Sequence, residues 1–116
     1  DPNDLYSLTN LALFYYEIGE HEIANQFIDT IQKVFPIHEQ QKLRIAVTLA
    51  RTGKYEEANI RFRKLRKEVV KSHPSYYRWF SVASYKIGQP EKAIACWKDG
   101  CKQHPKLAEE LGPWNM

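Results

Sequence analysis

Apolar residues recur along the chain at helical spacing. Leu8, Leu11, Ala12, Tyr15 and Ile18 follow the i, i+3, i+4, i+7 pattern of one apolar helix face. After Gly19 the pattern restarts with Ala24, Phe27, Ile28, Ile31 and Val34. Two amphipathic helices joined by a turn at Gly19 are therefore predicted, with Pro36 closing the second.

The same text then repeats. Gly19 and Gly53 lie 34 residues apart, and Gly53 and Gly88 lie 35 apart. Five residues after each Gly comes an Ala, at Ala24, Ala58 and Ala93, and four further on a large residue, at Ile28, Phe62 and Trp97. Pro36, Pro74 and Pro105 close the three units. Each repeated residue has a packing role. Gly caps the first helix in the left-handed region, Ala lets two helices approach closely, and the larger residue fills the space between neighbouring pairs. Residues 5–38, 39–73 and 74–105 form the three predicted units of one domain, with 106–116 as a partial cap.

These markers resemble the tetratricopeptide repeat (TPR) family. The resemblance implies an all-α, right-handed solenoid of three antiparallel helix pairs plus a short C-terminal helix. It also implies a non-enzymatic module that binds a protein or peptide in a concave groove lined by the first helix of each pair.

Two irregularities are visible. Gly53 to Pro74 spans 21 residues where the other units have 17, and Pro74 to Gly88 spans 14 where the others have 17. The second unit's closing helix is expected to gain about one turn, and the helix after it to lose most of one. At the ends, residues 1–4 resemble the tail of a preceding repeat. Lys106 to Leu111 are expected to start a seventh helix that Gly112-Pro113 stops, with Trp114 folding back over it. The first residue is Asp1 rather than Met, so a fragment of a longer protein is expected.

The resemblance places groove contacts on first-helix residues away from the packing face. The first unit supplies Tyr6, Thr9, Asn10, Leu13, Tyr16 and Glu17. The second supplies Leu43, Arg44, Val47 and Arg51, and the third Arg78, Trp79, Val82, Tyr85 and Lys86. Arg44, Arg51, Arg78 and Lys86 against Glu17 make that surface basic, and Leu13, Leu43, Val47 and Val82 make it apolar. A peptide with apolar anchors and one or more carboxylates matches both features. The alternative is that these apolar residues pack against a neighbouring helix or a second copy, making the chain the structural end of a longer array that mediates self-association or complex assembly. TPR co-chaperones that hold an acidic chaperone tail use Lys, Asn, Asn, Lys and Arg. The matching positions here are Thr9, Leu13, Arg44, Ser75 and Trp79, so that subtype is disfavoured.

Charge is unevenly distributed. The chain carries 17 basic and 14 acidic residues, a net +3. Arg61, Arg63, Lys64, Arg66, Lys67 and Lys71, less Glu68, put +5 into residues 61–73, leaving −2 elsewhere. Phe62, Leu65 and Val69 are expected to face the core and send the basic residues outward on the convex side. That face is either simply solvated or a contact for an acidic partner, an anionic surface or nucleic acid. Nucleic acid is disfavoured, because the single interleaved aromatic is itself expected to be buried.

Catalytic and metal chemistry find no footing. His21-Glu22 and His38-Glu39 open like a zinc motif, but the second ligand position holds Asn25 or Lys42. His73 and His104 precede a Pro and are expected at helix ends. No nucleophile elbow, phosphate loop or dinucleotide fingerprint occurs, so no cofactor and no enzyme activity are expected. Composition agrees: 43% hydrophobic and 27% charged argue against wholesale disorder, and five Gly with six Pro are too few for an all-β sandwich. No stretch reaches the roughly 20 apolar residues of a membrane span. Cys96 and Cys101, about 140° apart on a helix, cannot bridge each other. Free thiols favour a reducing compartment, and a cytoplasmic location is expected.

Overall fold

The computed structural model describes residues 4–113, all of whose regular structure is helical. Three antiparallel pairs follow one another. α1 (Leu5–Glu17) pairs with α2 (His21–Gln32), α3 (Glu39–Arg51) with α4 (Tyr55–Arg63), and α6 (Pro74–Lys86) with α7 (Pro90–Gln103). A single turn, α5 (Lys67–Val70), bridges the second and third pairs, and a 3₁₀ helix at Pro105–Glu109 follows the last. The first helices α1, α3 and α6 stack side by side, which builds the solenoid.

The repeated residues perform the predicted roles. Gly19, Gly53 and Gly88 have φ of 87°, 82° and 85°, the left-handed region that a side chain disfavours. In each turn two backbone bonds close the helix end: Glu20 N donates to Tyr15 O and Gly19 N to Tyr16 O, with the same pair at Lys54/Leu49 and Gln89/Ser84. Ala24, Ala58 and Ala93 are fully buried where the paired helices cross, and Ile28, Phe62 and Trp97 are buried beside them. Phe62 stacks on Phe80 at 5.1 Å and meets Tyr76 edge-on, joining the second pair to the third. Ile18, expected on the apolar face, is the exposed C-cap of α1, because the turn at Gly19 carries it off the helix axis.

The irregular second unit differs from the sequence expectation. The closing helix is not lengthened but broken. α4 stops at Arg63, Leu65 N closes a tight turn on Phe62 O, and Arg66 N leaves the helical ladder to donate to Glu39 Oε2 at 2.9 Å. The break shifts the register by one residue. Val70 is fully buried and Val69 is 40% exposed, so Val70 takes the core position expected for Val69. The following helix is not shortened either: α1, α3 and α6 all have 13 residues. Pro74 is the first residue of α6, a position where its missing N–H costs nothing, whereas Pro36 lies before the His38 N-cap of α3. The Pro-to-Gly interval shrinks because the proline moves, not the helix.

The C-terminal segment forms the 3₁₀ helix rather than a seventh α-helix, and its Leu107 is buried in the core. Gly100 on α7 permits this close seating. A Cβ there would lie 2.6 Å from Tyr77 Cβ and 3.2 Å from Leu107 Cδ1. His73 is the N-cap of α6, the opposite helix end from the one expected, because Pro74 opens a helix rather than closing one. His104 ends α7, and its Nε2 lies 2.7 Å from Lys71 O, joining the cap to α5. The preceding-repeat tail and the Trp114 fold-back involve residues 1–3 and 114–116, outside the described residues; Asp4 caps α1 by accepting from Ser7 N at 2.7 Å.

Candidate functional site

Side chains of α1, α3 and the start of α6 line a cleft of about 1020 Å³. Leu13, Leu43 and Val47 form apolar lining, and Tyr6, Asn10, Arg44, Arg51 and Ser75 surround it with polar and aromatic groups. Stacking produces this arrangement directly. Tyr6, Asn10 and Leu13 are spaced by four and three residues on α1, as are Arg44, Val47 and Arg51 by three and four on α3, so each set forms one stripe.

Arg44 lies at the centre. Its Nε donates to Thr9 Oγ1 at 2.6 Å and its Nη2 to Asn10 Oδ1 at 3.0 Å, while its guanidinium sits 4.2 Å from the centre of the Tyr6 ring. These three partners are neutral. They fix the orientation of the guanidinium without cancelling its charge. Arg51 donates to Glu17 at 3.2 Å and lies 5.9 Å from the Trp79 ring. Arg78 faces the C-terminal cap, where its Nε and Nη2 bind the two oxygens of Glu110 at 2.8 and 2.6 Å. Those bonds hold the Glu110 carboxyl below its ordinary pKa, against a smaller opposing effect of burial.

The expected groove residues thus divide. Tyr6, Asn10, Leu13, Leu43, Arg44, Val47 and Arg51 converge on the cleft. Thr9 and Val82 are buried in the packed interior, and Thr9 acts through the hydroxyl it offers Arg44. Tyr16 stacks on His21 at 4.5 Å in the turn region. Glu17 and Trp79 support Arg51, while Arg78, Tyr85 and Lys86 lie outside the cleft lining. Gln40 and Gln41, in the first turn of α3, also line it and were missed by sequence reasoning. The signal was present: Gln40 precedes Arg44 by four residues and so extends the same stripe.

Other chemistry is sparse. Among the described residues no group of three or more His, Cys, Asp or Glu side chains comes together to hold a metal. Burial pushes the Cys96 thiol up to about 12 and raises that of Cys101, the reverse of an activated nucleophile. No described helix is long and apolar enough to cross a membrane.

The comparisons with known proteins bear on this fold. No protein-family model matches the chain. A TPR repeat-containing protein, YvcD of Bacillus subtilis (strain 168), is 28% identical over 111 residues, covering 96% of this chain. A solved chain described as MamA MSR-1 C2 superposes with a TM-score of 0.60 at 18% identity, over 90% of this chain and 60% of that one. In sequence and in fold the chain is thus similar to tetratricopeptide-repeat proteins. Proteins of that kind are generally non-enzymatic protein–protein interaction scaffolds. The chain spans 23% of the length of YvcD.

Proposed function

We propose that this TPR-like array binds an extended or helical peptide segment in the cleft between α1, α3 and α6, with apolar anchors over Leu13 and Val47 and a carboxylate against Arg44. The observation that carries this reading is the state of Arg44. Thr9 and Asn10 hold its guanidinium in place, and its direct contacts, Thr9, Asn10 and Tyr6, are all neutral, while the carboxylate that lines the cleft, Asp4, caps α1 through Ser7 N. Arg51 and Arg78, by contrast, already hold Glu17 and Glu110. A carboxylate entering the cleft gains a pre-oriented donor, and a preformed geometry lowers the ordering cost of binding.

The recognition is therefore narrower than a generally basic groove. One carboxylate is selected by Arg44, with apolar contacts on either side. The test is fluorescence anisotropy with a labelled pool of short Leu-rich peptides ending in a free carboxylate, set against the same pool amidated. The free-acid pool is expected to bind at least tenfold more tightly, and Val47→Asp to abolish binding of both. Equal binding of the acid and amide pools would remove the carboxylate from the proposal.

A further inference from the structure

The α2–α3 loop exposes Phe35 (93%) and Ile37 (81%), well beyond what a folded interior-seeking side chain ordinarily shows. They flank Pro36, whose ring restricts the backbone, and Gln41 Oε1 accepts from Ile37 N at 2.9 Å, so the loop is tied to the first turn of α3. Arg61 and Lys64 of the basic segment lie directly beside it. Pro36, Lys42, Arg61, Lys64 and Leu65 enclose a hollow of about 210 Å³, and Arg61 Nη2 donates to Gln32 O at 3.3 Å at the end of α2. The break in α4 helps form this edge, since Arg66 N binds Glu39 at the start of α3.

The edge is basic. Lys42, Arg61 and Lys64 line the hollow, and Glu39, which pairs with Lys42, is the acidic side chain beside them, giving 3 − 1 = +2, with Arg63 and Arg66 adjoining Lys64 in sequence.

We propose that this edge attaches the chain peripherally to an anionic lipid surface, with Phe35 and Ile37 entering the boundary between headgroups and acyl chains and the basic residues facing the headgroups. Two features favour lipid over other partners. Phe35 and Ile37 project as knobs, and a fluid bilayer accepts a knob without a matching hole, whereas a protein partner must supply one. The surrounding charge complements anionic headgroups, to which each basic side chain near the surface adds attraction. A second copy of the chain is a poor occupant, because its cleft carries Arg44 and would meet this edge with like charge. Nucleic acid finds no row of exposed aromatics here, since Phe62 is buried.

The test is co-sedimentation of the chain with phosphatidylcholine vesicles and with phosphatidylcholine/phosphatidylglycerol vesicles, at low and high salt. Wild type is expected to sediment with the anionic vesicles at least tenfold more strongly than with the zwitterionic ones, and less at high salt. Phe35→Ser/Ile37→Ser and Arg63→Glu/Lys64→Glu each alter exposed residues, and each is expected to weaken that binding about tenfold with an unchanged melting midpoint. Arg44→Glu is expected to bind vesicles as wild type does, which separates this edge from the peptide cleft. Absence of binding to anionic vesicles at low salt would overturn the proposal. So would unchanged vesicle binding by Phe35→Ser/Ile37→Ser, retention on RNA with no vesicle binding, or a dimer in sedimentation velocity that the same variant abolishes.

Discussion

Glu110 closes on Arg78 through two parallel hydrogen bonds, so the last described segment of the chain is fastened to the first turns of α6 across 32 residues of sequence. The pair is partly exposed, with 26% and 38% of the two side chains accessible, which limits its worth to about 1 kcal/mol. Glu110→Gln is expected to lower thermal stability by no more than that, and by less at high salt. Because Arg78 depresses the carboxyl's pKa, the contribution is present above the ordinary carboxylate range and lost as pH falls through the lowered value. Melts of wild type and Glu110→Gln should therefore converge in acid.

Gly100 offers a test in which helix propensity and packing oppose each other. Alanine is the better helix former by about 1 kcal/mol. Its Cβ, however, would sit 2.6 Å from Tyr77 Cβ and 2.8 Å from Cγ, where α7 crosses α6. Overpacking at such a crossing costs about 1–3 kcal/mol. Gly100→Ala is expected to destabilise in urea titration, with the strain outweighing the propensity gain.

The break in α4 makes a register prediction. Val70→Ala is expected to cost about 2 kcal/mol, because the valine is fully buried. Val69→Ala is expected to change stability by less than about 0.5 kcal/mol. An uninterrupted helix would reverse the order, so the pair of denaturation midpoints reads the break directly.

Alkaline pH should destabilise the fold before it would a chain of unperturbed groups. Burial raises the Cys96 thiol and the Tyr76 phenol to about 12, from ordinary values of 9.0 and 10.0. Both groups are neutral when protonated, and the unfolded chain loses their protons first. Stability is thus complete below the unfolded values and falls as pH rises towards 12, by up to about 1.4 kcal/mol per pH unit for each group. Cys96→Ala is expected to flatten the decline above pH 9, measured as melting temperature against pH. In the native state Ellman's reagent should reach Cys101 and leave Cys96 unmodified until the chain unfolds.

The repeat phase was legible in the sequence because its markers act locally or one unit away. Gly53 must take positive φ wherever the rest of the chain lies, and Ala58 is small because its own pair of helices crosses there. The stripe holding Arg44, Val47 and Arg51 follows from helix geometry alone. The broken second unit was not legible. No Gly or Pro marks Lys64 to Arg66, and the backbone bond of Arg66 to Glu39 is a tertiary contact formed across 27 residues. Charge pairing was hidden for the same reason: nothing in the spacing indicated that Arg78 belongs to Glu110, while Arg44 is held by neutral groups.

Arg44 therefore provides the most direct measurement. Titrating the free-carboxylate peptide pool against wild type, Arg44→Glu and Lys64→Glu separates the cleft from the basic edge while giving the two variants the same change in net charge. Loss of binding by at least tenfold in Arg44→Glu, with Lys64→Glu close to wild type and both variants melting normally, is the predicted result. Equal affinities for Arg44→Glu and wild type would contradict a carboxylate-binding cleft centred on Arg44.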